Sequence, residues 1–113
     1  MPDGQTPLTP ALFHVLLALA EEDKHGYAIL KEVAEQTSGE VQLSTGTLYG
    51  IIKRLLADGW IKEVRGPKME DPRRRYYRLT DDGRQMAVAE AKRLEKLVLR
   101  ARSKHLIKRF GPA

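Results

Sequence analysis

The stretch STGTLYGIIKRLLADGWI, residues 44–61, constrains the fold of this 113-residue chain more than any other. Leu48, Ile51, Ile52, Leu55 and Leu56 recur at spacings of three and four, which gathers them on one face of a helix turned to a core. The opposite face is polar. Thr45, Thr47, Tyr49, Lys53 and Arg54 carry hydroxyls and cations, groups that bond to phosphate oxygens and base edges in a major groove wide enough to admit a helix. Ser44 is the expected N-cap and Asp58-Gly59 the expected stop, with Trp60 and Ile61 leading into an extended segment. A helix of this kind is common on soluble domains, so its neighbours on both sides decide its meaning.

Upstream, residues 1–7 hold two prolines and a glycine and read as a loose arm. From Leu8 the pattern turns helical, with Thr9-Pro10 as cap and first-turn proline. Leu12, Phe13, Leu16, Leu17 and Leu19 are the expected core-facing set, and Glu21-Glu22-Asp23 the expected end. His14 inside this helix reads as a packed or solvent-edge residue. His25-Gly26-Tyr27 signals a turn before a second amphipathic segment with Ile29, Leu30, Val33 and Ala34, ended by Thr37-Ser38-Gly39. Two helices a few residues apart, the second polar outside, form a helix-turn-helix whose second member enters the major groove.

Downstream, residues 60–65 alternate enough for a strand, residues 66–72 make a turn, and Arg73-Arg74-Arg75-Tyr76-Tyr77-Arg78-Leu79 is expected as the returning strand. This is a β-hairpin with a basic tip, a wing on which Lys68, Arg73 and Arg74 are the candidate phosphate or narrow-groove contacts. A solvated turn is the simpler account of three consecutive arginines, with Arg75 paired to an acid. Thr80-Asp81-Asp82-Gly83 caps a last helix expected over 84–110. Its stripe of Ala87, Ala91, Leu94, Val98, Ala101 and His105 steps by four and three, as in a helix that packs along another. One small domain cannot cover all of it, so the first five of these are candidate dimer-interface residues; a helix folded back on its own domain is the other reading.

The expected architecture is therefore mostly α with a small β-hairpin, an α+β winged helix-turn-helix with a C-terminal dimerisation helix. The chain divides into a flexible arm (1–7), a DNA-binding domain (8–80) and the helix (81–113). Charge agrees. Residues 1–40 carry two lysines against seven acids, or −5, whereas residues 41–113 carry eighteen cations against eight acids, or +10. That asymmetry fits a footprint for a polyanion on the second part.

Other classes find little support. The chain has no cysteine, which excludes disulfides and thiolate metal sites and is compatible with a reducing cytoplasm. No secretion leader is visible, and the longest apolar run, 11–20, is too short to cross a bilayer. His14, His25 and His105 fall on separate elements, and neither a phosphate loop nor a nucleophile elbow is present. No metal, cofactor or catalytic constellation is expected, and the chain reads as a non-enzyme.

HGYAIL, STGTLYGIIKRLLADGWI and RRRYYRLTDDGR, in this order between Leu8 and Gly83, resemble the signatures of the PadR family of bacterial transcriptional regulators. The resemblance implies a winged helix-turn-helix followed by a C-terminal helical region that makes a homodimer. It implies a repressor of double-stranded DNA whose affinity responds to a small-molecule effector. By its GTLY part, Thr47 and Tyr49 lie on the recognition surface with Lys53 and Arg54 one turn on. By its RRRYYRLT part, Arg73 and Arg74 end the wing while Tyr76, Tyr77 and Leu79 pack inward. Tyr27 is expected between helices. The short C-terminus departs from branches with several C-terminal helices, and with Trp60 at the hairpin it offers no stacking site for an aromatic effector.

On this reading Thr45, Thr47, Tyr49 and Arg54, behind the cap Ser44, read bases in a palindrome. Lys53, Lys68, Arg73 and Arg74 hold phosphates. The alternative is a winged-helix module whose outer helix face docks a protein.

Overall fold

The computed structural model describes residues 7–68 and 71–108. The chain runs through α1 (Pro10–Ala18), β1 (Lys24–His25), α2 (Gly26–Gln36), α3 (Thr45–Ala57), β2 (Ile61–Val64), β3 (Tyr76–Leu79) and α4 (Asp81–Ser103). Met1 to Thr6, Met69, Glu70, Arg109 and Phe110, over which parts of the arm, wing turn and last helix were expected, lie outside the described residues. Among the described residues no helix is long and apolar enough to cross a membrane.

Every helix opens on a side-chain cap, which satisfies one of the backbone donors that a helix start leaves without an internal acceptor. The Thr9 hydroxyl accepts the Leu12 N–H at 3.2 Å, Ser44 that of Thr47 at 3.0 Å and Thr80 that of Gly83 at 3.0 Å. At α2 the cap is an imidazole: His25 Nδ1 accepts the Ala28 N–H at 3.2 Å. His25-Gly26-Tyr27 is therefore no turn. Lys24 and His25 are extended and pair with Tyr77 and Tyr76 of β3, so the hairpin becomes a three-stranded antiparallel sheet in the order β1-β3-β2. Two residues are too few to show strand alternation, and β1 exists because β3 offers it an edge.

The core joins Leu12, Val15, Leu16 and Leu19 with Ile29 and Val33, Leu48, Ile52 and Leu55, and the sheet residues Ile61, Tyr77 and Leu79. In α1 the buried face is Leu12, Val15, Leu16 and Leu19, the i, i+3, i+4, i+7 set. It takes in Val15 and leaves Leu17 46% exposed and Phe13 half-buried. Leu56 likewise stands 38% exposed at the margin of the α3 face. α1 stops at Ala18, ahead of the acidic run, and the Lys24 ammonium caps its last carbonyl at 2.7 Å. Lys24 also pairs with Glu32 at 3.2 Å, its side chain 13% exposed.

The returning strand begins at Tyr76 rather than Arg73. Asp71 holds the preceding residues in a turn, accepting the Arg73 N–H on Oδ1 at 2.9 Å while its carbonyl accepts the Arg74 N–H at 2.9 Å. The last helix ends at Ser103. His105 takes a left-handed φ of 63°, and Leu106 donates its N–H back to the Ala101 carbonyl at 2.9 Å, so the chain reverses and His105 leaves the stripe.

α4 lies against α1 along its first half. Glu90, only 5% exposed, meets Arg93 through two hydrogen bonds of 2.6 and 2.9 Å. The Arg93 guanidinium holds its carboxyl below the ordinary value against the opposing effect of burial, and the Leu8 N–H adds to the lowering.

α3, the wing and α4 meet at one joint. α3 closes through Gly59 at φ 77°, with the Trp60 N–H on the Leu55 carbonyl at 3.0 Å. Thr80 donates its N–H to the Trp60 carbonyl at 3.0 Å and its hydroxyl to that of Gly59 at 2.7 Å. A Cβ at Gly83 would overlap the Trp60 carbonyl oxygen, a backbone atom that cannot swing aside. Gly83→Ala is expected to lower the unfolding free energy by about 2 to 3 kcal/mol, read by urea titration. Wild-type stability in that variant would mean that α4 does not bear on the joint.

Candidate nucleic-acid interface

The outward face of α3 is built from small and polar groups. Ser44, Thr45, Gly46, Thr47, Tyr49, Gly50, Lys53 and Arg54 are all exposed, opposite the buried Leu48, Ile52 and Leu55. Ser44 is committed to the helix start, since its hydroxyl accepts the Thr47 N–H and donates to Thr47 Oγ1 at 2.9 Å. Its part in any DNA contact is thus to position Thr47. Arg54 leans toward Asp58 at 3.7 Å, an exposed i, i+4 pair worth at most about 0.5 kcal/mol, which a phosphate or guanine can displace.

Gly46 and Gly50, four residues apart, run down the middle of this face, and a Cβ on either would meet nothing within 4 Å. Glycine inside a helix costs about 0.5 to 1 kcal/mol relative to alanine. Nothing in the chain's own packing requires it there.

Tyr49 departs from a simple outward pose. It is 47% exposed, yet its hydroxyl occupies the space that a Cβ on Gly26 would fill, so the ring leans back onto the start of α2. Tyr27, expected between helices, is 68% exposed on the same side. Its ring is parallel to that of His25, 6.5 Å between centroids, and His25 meets Tyr76 edge-on at 5.2 Å.

The wing brings its arginines to this place. His25, Tyr27, Tyr49, Arg73, Arg74 and Arg75 line one open cleft of about 430 Å³. A second, basic cleft runs inside the wing, where Lys68 and Arg65 join the same arginines. Arg73 folds onto Asp71 at 3.2 Å, and its hydrogen bonds hold that carboxyl below its ordinary value. Arg75 pairs with Glu63 at 3.7 Å, the acid partner expected of it, while Arg74 Nη1 lies 3.3 Å from His25 Nε2. The Arg73 side chain is 89% exposed, so this bidentate pair is screened by solvent and a phosphate can compete for the guanidinium.

Other cations serve the fold. Arg78 bonds Asp23 at 2.9 and 3.0 Å, and Arg84 reaches the Ala20 carbonyl at 2.7 Å. Together with Lys24 and Arg93 they use part of the positive charge as internal ties, while exposed cations remain on α3, the wing and α4, where Lys92, Lys96, Arg100 and Lys104 face outward.

The candidate dimer stripe is split. Ala87 packs against its own core, Leu94 and Ala101 are half-buried, Ala91 is exposed and Val98 is 42% exposed. Leu97 and Leu99 beside it are also exposed. Sequence reasoning did not single out His25 and Tyr27, which line this cleft, or Gly46 and Gly50 on the outward face of α3. The signal for the glycines was present in the cost that two of them impose on an otherwise well-formed helix.

The chain matches the model of the transcriptional regulator PadR-like family over residues 15–89. It is 31% identical over 70 residues to "Uncharacterized protein X" of Lysinibacillus sphaericus, covering 62% of this chain and 64% of that protein. It is 41% identical over 83 residues to an uncharacterized 37.1 kDa protein in transposon TN4556 of Streptomyces fradiae, covering 74% of this chain and 22% of the other. The chain thus spans less than two thirds of the length of these curated relatives. A PadR family transcription regulator from Clostridium difficile R20291 is similar at 28% identity and a TM-score of 0.66, over 85% of this chain and 97% of that one. Bacillus subtilis PadR, solved in complex with operator DNA, shares the fold at 18% identity and a TM-score of 0.61, over 93% and 51% of the two chains.

Gly50→Ala is expected to stabilise the protein by about 0.5 to 1 kcal/mol in urea titration. The added methyl is expected to weaken duplex binding about fivefold or more, the effect of overpacking a close interface by roughly 1 kcal/mol. A stabilised variant with unchanged binding would show that nothing approaches α3 along that line.

Proposed function

The chain belongs to the PadR-like family of transcriptional regulators, and from that premise we propose that it is a homodimeric repressor reading a palindromic operator. It is a DNA-binding transcriptional regulator, and the family is one of regulators, not enzymes. In the proposed complex α3 lies in the major groove, with Thr45, Thr47, Tyr49 and Arg54 toward base edges and Lys53 on a phosphate. Lys68, Arg73 and Arg74 of the wing hold the flanking backbone or minor groove.

The observation that carries this reading is the shared cleft of Tyr49, Tyr27 and Arg73–Arg75, which sets the wing tip beside the recognition face so that one duplex can meet both. The wing arginines are exposed and held by surface pairs that cost little to exchange for phosphate.

For the dimer, the support is the second half of α4. The face that covers α1 near Glu90 continues to Leu94, Val98 and Ala101, and Val98 and Leu97 remain outside the core of one copy. A second copy packed along that stripe would bury them and relate two α3 helices by a two-fold axis. As a repressor the protein would act in the cytoplasm. A small-molecule effector would sit at the α4 interface or in the wing cleft, where the lining is charged and favours a polar, anionic ligand.

Arg73→Ala with Arg74→Ala is expected to weaken binding to every duplex alike and to reduce the slope of log K against log salt by about two units. The measurement is fluorescence anisotropy over a salt series with the preferred duplex and an unrelated one. An unchanged slope would remove the wing from the interface.

A further inference from the structure

Asp58 closes α3 at a place where an acid does nothing for the helix. It is the C-cap, at the negative end of the α3 dipole, and its partner Arg54 precedes it by four residues. In such pairs the favourable order puts the acid first and the cation nearer the C-terminus, so both the dipole and the pair run the wrong way here. Among the described residues the one ion pair of this carboxylate is the contact of its Oδ2 with Arg54 Nε at 3.7 Å. The two Nη groups of Arg54, the fork that matches O6 and N7 of a guanine, are left without an acceptor among the described residues. Arg54 stands one turn beyond Gly50, on the side of α3 where a Cβ at Gly46 or Gly50 would meet nothing and a base edge has room to approach.

So exposed a pair yields on binding, and the acid decides to what. A phosphate on Arg54 brings a second anion beside the Asp58 carboxylate, and the two repel. A guanine edge offers two acceptors and no net charge. The carboxylate therefore penalises the sequence-blind contact and spares the base contact, which is how a repulsive element creates specificity. We propose that Asp58 is a specificity-determining positioning residue, whose carboxylate holds Arg54 off the DNA backbone and presents its Nη fork to a guanine in the major groove. This rests on the DNA-binding reading given above, in which Arg54 faces base edges, and adds the group that keeps it there.

The test is a selection from random duplex DNA, followed by anisotropy titrations over a salt series, with wild type, Arg54→Lys, Asp58→Asn and Asp58→Glu. Asparagine has nearly the shape of aspartate and suits a helix end, so only the charge is removed. Lysine keeps the Arg54 charge and loses the fork. Wild type is expected to prefer guanine about tenfold at one position of each half-site, and Arg54→Lys to lose that preference. Asp58→Asn is expected to reduce it to about threefold or less, to bind unrelated duplexes more tightly, and to steepen log K against log salt by about one unit as Arg54 moves to a phosphate. Asp58→Glu, which keeps the charge, is expected to retain the guanine preference. If Asp58→Asn keeps the wild-type preference, whatever it does to affinity, or if Asp58→Glu loses it as Asp58→Asn does, the acid does not select and the proposal is wrong. A preferred site whose bases are insensitive to Arg54→Lys overturns the proposal and leaves the DNA-binding reading standing. A wild type that binds no duplex, or enriches no sequence, overturns both.

Discussion

Thr80 donates its N–H to the Trp60 carbonyl and its hydroxyl to that of Gly59, and the same hydroxyl accepts the Gly83 N–H that opens α4. One residue thereby fastens the end of α3, the root of the wing and the start of α4. Gly83 lets α4 lie directly on the Trp60 backbone, so the angle between the recognition helix and the long helix is set by backbone contact rather than by side chains that could repack. In the proposed dimer, two such helices would have to meet one duplex at fixed separation, and this joint would supply the rigidity, because a small tilt there becomes a displacement of several ångströms along α4. The caps at Ser44 and His25 extend the same logic to the working face, since each uses the first turn of a helix to orient a residue there.

The positive charge is divided by purpose. Lys24, Arg78, Arg84 and Arg93 are drawn into carbonyl or carboxylate contacts that tie α1, the sheet and α4 together. Asp23 sits with its carboxyl held below the ordinary value by hydrogen bonds from Arg78, so this tie persists through neutral pH. Arg73, Arg75 and Arg54 instead rest on exposed acids, where solvent screening leaves each pair weak. Net charge alone does not separate these two groups; the span of the contact does, since Arg78 and Arg84 reach acceptors more than fifty residues away in the chain whereas Arg54 and Arg73 pair within a few residues.

Much of the fold was legible because caps and periodicity are local. Thr9, Ser44 and Thr80 declared three helix starts, and Leu48, Ile52 and Leu55 declared the inner face of α3. What escaped depended on contacts distant in sequence. β1 is too short to have a pattern and is defined by pairing with residues some fifty positions away. α1 is apolar on every side, so its sequence could not say that Val15 faces inward and Leu17 outward. Tyr27 has the residue type of a core aromatic but stands 68% exposed, while Tyr49 takes the space over Gly26. The end of α4 carries no glycine, and its left-handed residue, His105, is a type that more often continues a helix than ends one. At the candidate interface, the residue types on α3 and the wing were readable, but the cleft that joins them through His25 required coordinates.

The central claim is that two copies joined through α4 present their α3 helices to one palindrome. A selection from random duplex DNA, with the molar mass of the winning complex measured by light scattering in the same buffer, addresses it directly. The expected result is an enriched two-fold symmetric site, half-sites about one helical turn apart, and a mass of two chains per duplex. An asymmetric site bound by a single chain, or salt-sensitive binding with no enriched sequence, would contradict it.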